Sequence, residues 1–138
     1  MKTLLSTLVL SLAIASTSAF ADVVVVVHKN NANSLAKSDI SRIFLGKTKK
    51  YADGSKITPV YLAEGNATRT TFEKNALKKS SSQVKAFWSK QLFSGKGNPP
   101  KTLTSDADVL NLVGTDAGGI GYIDAKSVND SVKVIAKF

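Results

Sequence analysis

Five consecutive valines, Val23 to Val27, flanked by Asp22 and His28, form the longest β-branched run of the chain and predict a central strand. A run with no polar alternation is that of a strand buried on both faces, as in a parallel sheet. Asn30 to Ser34 then breaks the pattern with loop-forming residues. Ser38-Asp39 is placed to cap a short helix whose apolar positions are Ile40, Ile43 and Phe44, with Gly46 as its stop. Lys49 to Ser55, containing Asp53-Gly54, reads as a turn leading into a second strand over Lys56 to Leu62.

From Thr68 the period changes to that of a helix carrying Phe72, Ala76 and Leu77. Ser80-Ser-Ser82 starts another with Val84, Phe87, Trp88, Leu92 and Phe93, whose aromatic residues are expected in the core. Phe87 and Trp88 are neighbours on a helix and face different ways, so one of them is free to line a groove. Phe93 to Pro100 is an irregular connector, and Ser105-Asp106 caps a helix that runs through Val113. After a turn at Gly114 to Gly119, Ile120 to Asp124 and Ser131 to Ala136 read as two more strands. The fold class expected from this order is α/β, a small mixed sheet flanked by helices.

Residues 1–21 differ from the rest. Lys2, the apolar stretch Leu4 to Ala15 and Ser18-Ala-Phe-Ala21 make up a positive start, a hydrophobic segment and a small-x-small cleavage site, which together predict a signal peptide cut after Ala21. The exported part, residues 22–138, then fits one domain with one core, and no later segment approaches the roughly 20 apolar residues of a membrane helix. Periplasmic localisation follows as the expectation. Cysteine is absent, so neither disulfides nor thiolate metal sites hold the fold. Losing Lys2 with the leader lowers the formal charge only from +9 to +8, an excess that raises encounter rates with anions without choosing among them.

Catalytic chemistry has little to stand on. His28 is the one histidine, the acidic residues are dispersed at helix starts and turns, and no nucleophile elbow, HExxH helix or Cys-His pair is present. The expectation is a protein that is not an enzyme, with no metal and no organic cofactor. The richest stretch is Glu64 to Phe72, which follows a strand and opens a helix. Asn66, Thr68, Arg69, Thr70 and Thr71 there set an amide, three hydroxyls and a guanidinium beside unpaired backbone N–H groups, where the helix dipole favours an anion. The same residues also suit an ordinary helix cap. Asn30, Asn31 and Asn33, after the first strand, are second candidates.

Several short motifs resemble the substrate-binding proteins of phosphate ABC transporters and, more closely, short single-domain proteins related to them. They are Ile43-Phe-Leu-Gly-Lys47, Asp53 to Pro59, Arg69-Thr-Thr-Phe72, Phe87-Trp-Ser89, Phe93 to Pro100 and Gly118-Gly-Ile-Gly-Tyr122, in the family's order. The resemblance implies a single periplasmic-binding-protein-like lobe that holds inorganic phosphate or a related oxyanion in connection with phosphate uptake. Laid against the family's phosphate loop, only Gly65 and Thr68 match outright, and Leu62 falls where the family has an arginine, a role Arg69 is expected to take over. Full-length members close two lobes on the anion, so one lobe is expected to bind weakly unless an ABC transporter permease, a second lobe or a homodimer completes the site. No nucleic acid and no membrane insertion are implied. The alternative is a ligand-free interaction module of the cell envelope. The glycines of Gly118 to Tyr122 are read as scaffold, for positive φ or close backbone approach.

Overall fold

The computed structural model describes residues 22–138; the expected signal peptide, residues 1–21, lies outside the described residues. Five strands form one sheet: β1 (Val23–His28), β2 (Thr58–Leu62), β3 (Lys101–Leu103), β4 (Gly119–Asp124) and β5 (Val132–Lys137), in the order β3-β2-β4-β1-β5. Around it lie α1 (Lys37–Phe44), α2 (Ala67–Asn75), α3 (Ser81–Phe93) and α4 (Asp106–Thr115), with a 3₁₀ turn at Ala125–Ser127. This is the expected α/β architecture with a small mixed sheet.

The valine strand is interior and buried along Val23 to Val27, as its composition demands. Its partners are antiparallel, β4 on one side and β5 on the other, rather than parallel. Burial on both faces requires cover above and below the sheet, not a particular direction of the neighbours, so the run alone could not separate the two cases. β2 runs parallel to both β3 and β4. From β2 the chain passes outward through α2 and α3 to β3, and α4 carries it back across to β4. The chain therefore reverses its direction across the sheet at the edge strand β3, and α2 opens at the carboxyl end of the parallel neighbour β2.

A helix cap, an edge strand and the burial of one helix end differ from the sequence expectation. Ala36 is the N-cap of α1, and Asp39 sits three residues inside, where its carboxylate accepts the Ala36 N–H at 2.9 Å. β3 was not expected: it has only three residues, on an edge, directly after the Phe93 to Pro100 connector, and carries too little hydrophobic pattern to stand out. Phe93 and Leu92 are not in the core: α3 buries Val84 and Trp88, while Phe93 is 98 % exposed and Leu92 51 %.

Phe44, Tyr61, Phe72 and Tyr122 form an aromatic cluster under the helices, with the Phe72 and Tyr122 rings stacked at 4.0 Å and Phe44 edge-on to Phe72 at 4.9 Å. Such pairs add about 0.5–1.5 kcal/mol each beyond the area they bury. Gly46, at φ +70°, ends the first helical segment, and a Cβ there would meet the Trp88 ring at 2.9 Å. Gly121 is equally confined, with Val109 and Val60 where a side chain would go. Close approach is what the Gly118 to Tyr122 glycines supply; none of them has positive φ. The motif residues Phe44, Gly46, Trp88 and Tyr122 thus meet in one packed interior, which gives their shared order along the chain a structural reason.

Candidate functional site

α2 begins directly after the carboxyl end of β2, separated from it by the tight turn Ala63 to Asn66 with Gly65 at φ +86°. Asn66 is its N-cap. The Asn66 side-chain oxygen accepts the N–H groups of Thr68 at 2.8 Å and Arg69 at 3.3 Å. These are the donors an oxyanion at this helix end would use, and a carbonyl oxygen now occupies their common focus.

Arg69 does not point into open water. Its Nη1 donates to the Leu62 carbonyl at 3.0 Å, its Nε lies 3.5 Å from the Glu73 carboxylate, and the guanidinium sits 5.1 Å from the centre of the Tyr61 ring. The guanidinium is thus held against the carboxyl end of β2 from the helix that follows. Glu73 is 1 % exposed and its other oxygen accepts the Ser81 hydroxyl at 2.9 Å, which ties the start of α3 to α2. Neither Arg69 Nε nor Glu73 Oε2 has a hydrogen-bond partner, and the two face each other as an ion pair.

The threonines take separate places. Thr68 is buried, Thr71 is half-buried, and the Thr70 hydroxyl donates back to the Asn66 carbonyl at 3.2 Å. Of the five residues singled out in the sequence, Arg69 alone lines the groove beside this helix end. That groove, of about 370 Å³, is walled by Tyr61, Trp88, Leu92, Pro99 and Pro100, with Glu64, Lys85, Ser89 and Thr102 at its polar edge. Lys85 pairs with Glu64 at 3.7 Å across it. Trp88 is the member of the Phe87-Trp88 pair that lines the groove, and its indole N–H donates to the Tyr61 hydroxyl at 3.4 Å. Burial pushes the Tyr61 phenol up to about 12, so it stays a neutral donor, here to the Phe44 carbonyl.

Sequence reasoning missed Glu73, whose spacing of four from Arg69 was the available signal. It also missed Tyr61, a strand residue with nothing in its neighbours to mark it. Asn31 and Asn33 lie at the carboxyl end of β1 beside a depression of about 280 Å³. There the Asn31 side chain accepts the Asn33 backbone and side-chain N–H groups, both at 2.9 Å, and Asn33 donates to Asp53 at 3.2 Å. Their amides are largely occupied with one another. Among the described residues no group of three or more His, Cys, Asp or Glu is placed to hold a metal ion. No helix of the described residues is long and apolar enough to cross a membrane.

The five-stranded mixed sheet with its flanking helices is a fold that recurs as about half of larger solved proteins. Solved phosphate receptors share this fold. An ABC-type phosphate transport receptor from Vibrio cholerae superposes with a TM-score of 0.65 at 21 % identity, over 83 % of this chain and 46 % of its own. A protein from Clostridium perfringens with bound phosphate, assigned to the phosphate ABC transporter substrate-binding proteins, gives 0.66 at 21 % identity, over 83 % and 45 %. PstS from Borrelia burgdorferi gives 0.61 at 11 % identity, over 85 % and 48 %. The chain thus spans about half the length of these receptors. No protein-family model and no curated protein matches the sequence.

Proposed function

We propose that this chain is an exported solute-binding lobe that holds phosphate or a related oxyanion weakly, in connection with phosphate uptake. The observation that carries the reading is the guanidinium of Arg69, fixed by the Leu62 carbonyl beside the first turn of α2. An anion entering here meets Arg69 and the backbone N–H groups of Thr68 and Arg69; the Thr70 hydroxyl, which donates to the Asn66 carbonyl, and the half-buried Thr71 are not directed there. Asn66 regulates access, because its side-chain oxygen must leave before those N–H groups are free. The reading involves binding and no reaction.

The weakness follows from the same geometry. Two hydrogen bonds to a charged acceptor are worth about 3–6 kcal/mol together, and displacing the cap costs about 1 kcal/mol. The remaining few kcal/mol correspond to a Kd of roughly millimolar order. Tighter capture requires donors from outside the lobe, from a permease, a second lobe or a second copy of the chain.

The test is an NMR titration of residues 22–138 with phosphate, with sulfate in parallel, following the amide resonances of Thr68 and Arg69. Both are expected to move with a millimolar phosphate constant. Asn66→Gly, which keeps a tolerated cap residue but removes the competing oxygen, should tighten binding about fivefold. Immobile amides in both proteins, or sub-micromolar affinity in a monomer, contradict the proposal.

A further inference from the structure

From Lys74 through Ser105 the chain carries seven lysines, Lys74 included, and no acidic residue. This segment spans α3 and the connector to β3, and it holds the most exposed large hydrophobic side chain of the described residues, Phe93, next to Leu92. Lys90 lies one helical turn before Phe93, on the same side of the helix. Lys96 stands in the turn that closes α3, where its N–H bonds the Gln91 carbonyl and Gly95 takes φ +68°. Pro99 and Pro100 return beside Leu92 in the wall of the groove, which brings Lys101 to the same end. Among the described residues, Lys90, Lys96 and Lys101 pair with no carboxylate.

An aromatic side chain exposed at the end of a helix, with unpaired lysines nearby along the same segment, has the chemistry of a surface that meets an anionic interface. A protein partner fits less well. Stable protein interfaces bury about 800 Å² on each side and deplete lysine from their centres, whereas two exposed apolar side chains in a lysine-rich segment offer a small anchor and a diffuse positive field. We propose that the α3 end and the following connector form a docking surface for an anionic lipid bilayer, with Phe93 and Leu92 entering the headgroup region and Lys90, Lys96 and Lys101 lying against lipid phosphates. The contact is peripheral; it adjoins the groove that Arg69 lines through Leu92, while Phe93, its main anchor, does not line that groove.

Sedimentation with sucrose-loaded vesicles tests it, using residues 22–138 so that the apolar leader takes no part. Vesicles of phosphatidylcholine alone are compared with vesicles containing one third phosphatidylglycerol, at low and at high salt. Binding is expected to the anionic vesicles only, and to weaken with salt. Phe93→Ser should lower the partition coefficient about tenfold and Lys90→Glu with Lys96→Glu by at least as much. All three positions are exposed, and circular dichroism with thermal melting confirms that the variants fold. Absence of sedimentation with anionic vesicles at low salt overturns the proposal. So does a Phe93→Ser protein that binds them as well as the parent, which reduces the surface to charge alone. Phe93-dependent binding to polyglutamate without vesicle binding overturns it in favour of an acidic polypeptide.

Discussion

Replacing Arg69 with alanine removes three contacts at once: the hydrogen bond to the Leu62 carbonyl, the ion pair with Glu73 and the stacking on Tyr61. What remains matters more than what is lost. Glu73 is 1 % exposed and keeps only the Ser81 hydroxyl, so the mutation leaves a carboxylate inside the protein without its counter-charge. Breaking one side of a buried pair costs about 3–5 kcal/mol, and for a domain of this length that lowers the melting temperature by roughly 10–20 °C. Trp88 is the single tryptophan and 7 % exposed, so urea denaturation followed by its fluorescence reports the loss directly. The double variant Arg69→Met, Glu73→Leu, which replaces the pair by apolar groups of similar volume, should return to within about 1 kcal/mol of the parent. An Arg69→Ala protein as stable as the parent would refute the reasoning. The expected destabilisation also bears on function: lost phosphate binding in Arg69→Ala cannot be separated from a loosened helix, which is why Asn66→Gly is the sharper probe of the anion site.

All three tyrosines of the chain, Tyr51, Tyr61 and Tyr122, are buried, and burial raises their phenol pKa, to about 12 for Tyr51 and Tyr61. The folded state holds these protons more tightly than the unfolded chain, whose tyrosines titrate near 10. Their contribution is therefore fully present below about pH 10 and is lost as pH rises toward about 12, so stability should fall across that window, with tyrosinate absorbance rising together with the Trp88 unfolding signal. A tyrosinate step near pH 10 with unchanged tryptophan fluorescence would count against the burial. Gly121→Ala places a methyl group 2.6 Å from Val109 Cγ1 and 3.0 Å from Val60 Cγ2 in the middle of the sheet. It should cost about 1–3 kcal/mol in urea denaturation, and a neutral outcome would mean that β4 can move away from α4.

Local pattern was enough for most elements because each carries its own period. The valines of β1, the triplet Ile40, Ile43 and Phe44 of α1, and the capping pair Ser80 and Gln83 of α3 signal their states within a few residues. β3 was invisible for the converse reason, since a short edge strand is defined by the partner it pairs with. The α3 aromatics divide on the same ground: helical spacing fixes relative directions but not which direction faces the sheet, so Trp88 goes inward and Phe93 outward without any local mark.

The candidate site divides in the same way. A strand followed by Gly65, Asn66 and the threonines determined by itself that a helix would start there, with polar groups and Arg69 in its first turn. Whether those groups converge on a ligand or on each other was decided in three dimensions. Asn66 turns its oxygen onto the N–H groups of Thr68 and Arg69, and Arg69 is drawn back to Leu62 and Glu73. The sequence dictates which donors and acceptors are available and roughly how far along the chain they lie. Their pairing depends on burial and on distances across β2, α2 and α3, because a polar group leaving water takes whichever partner the packing brings within reach.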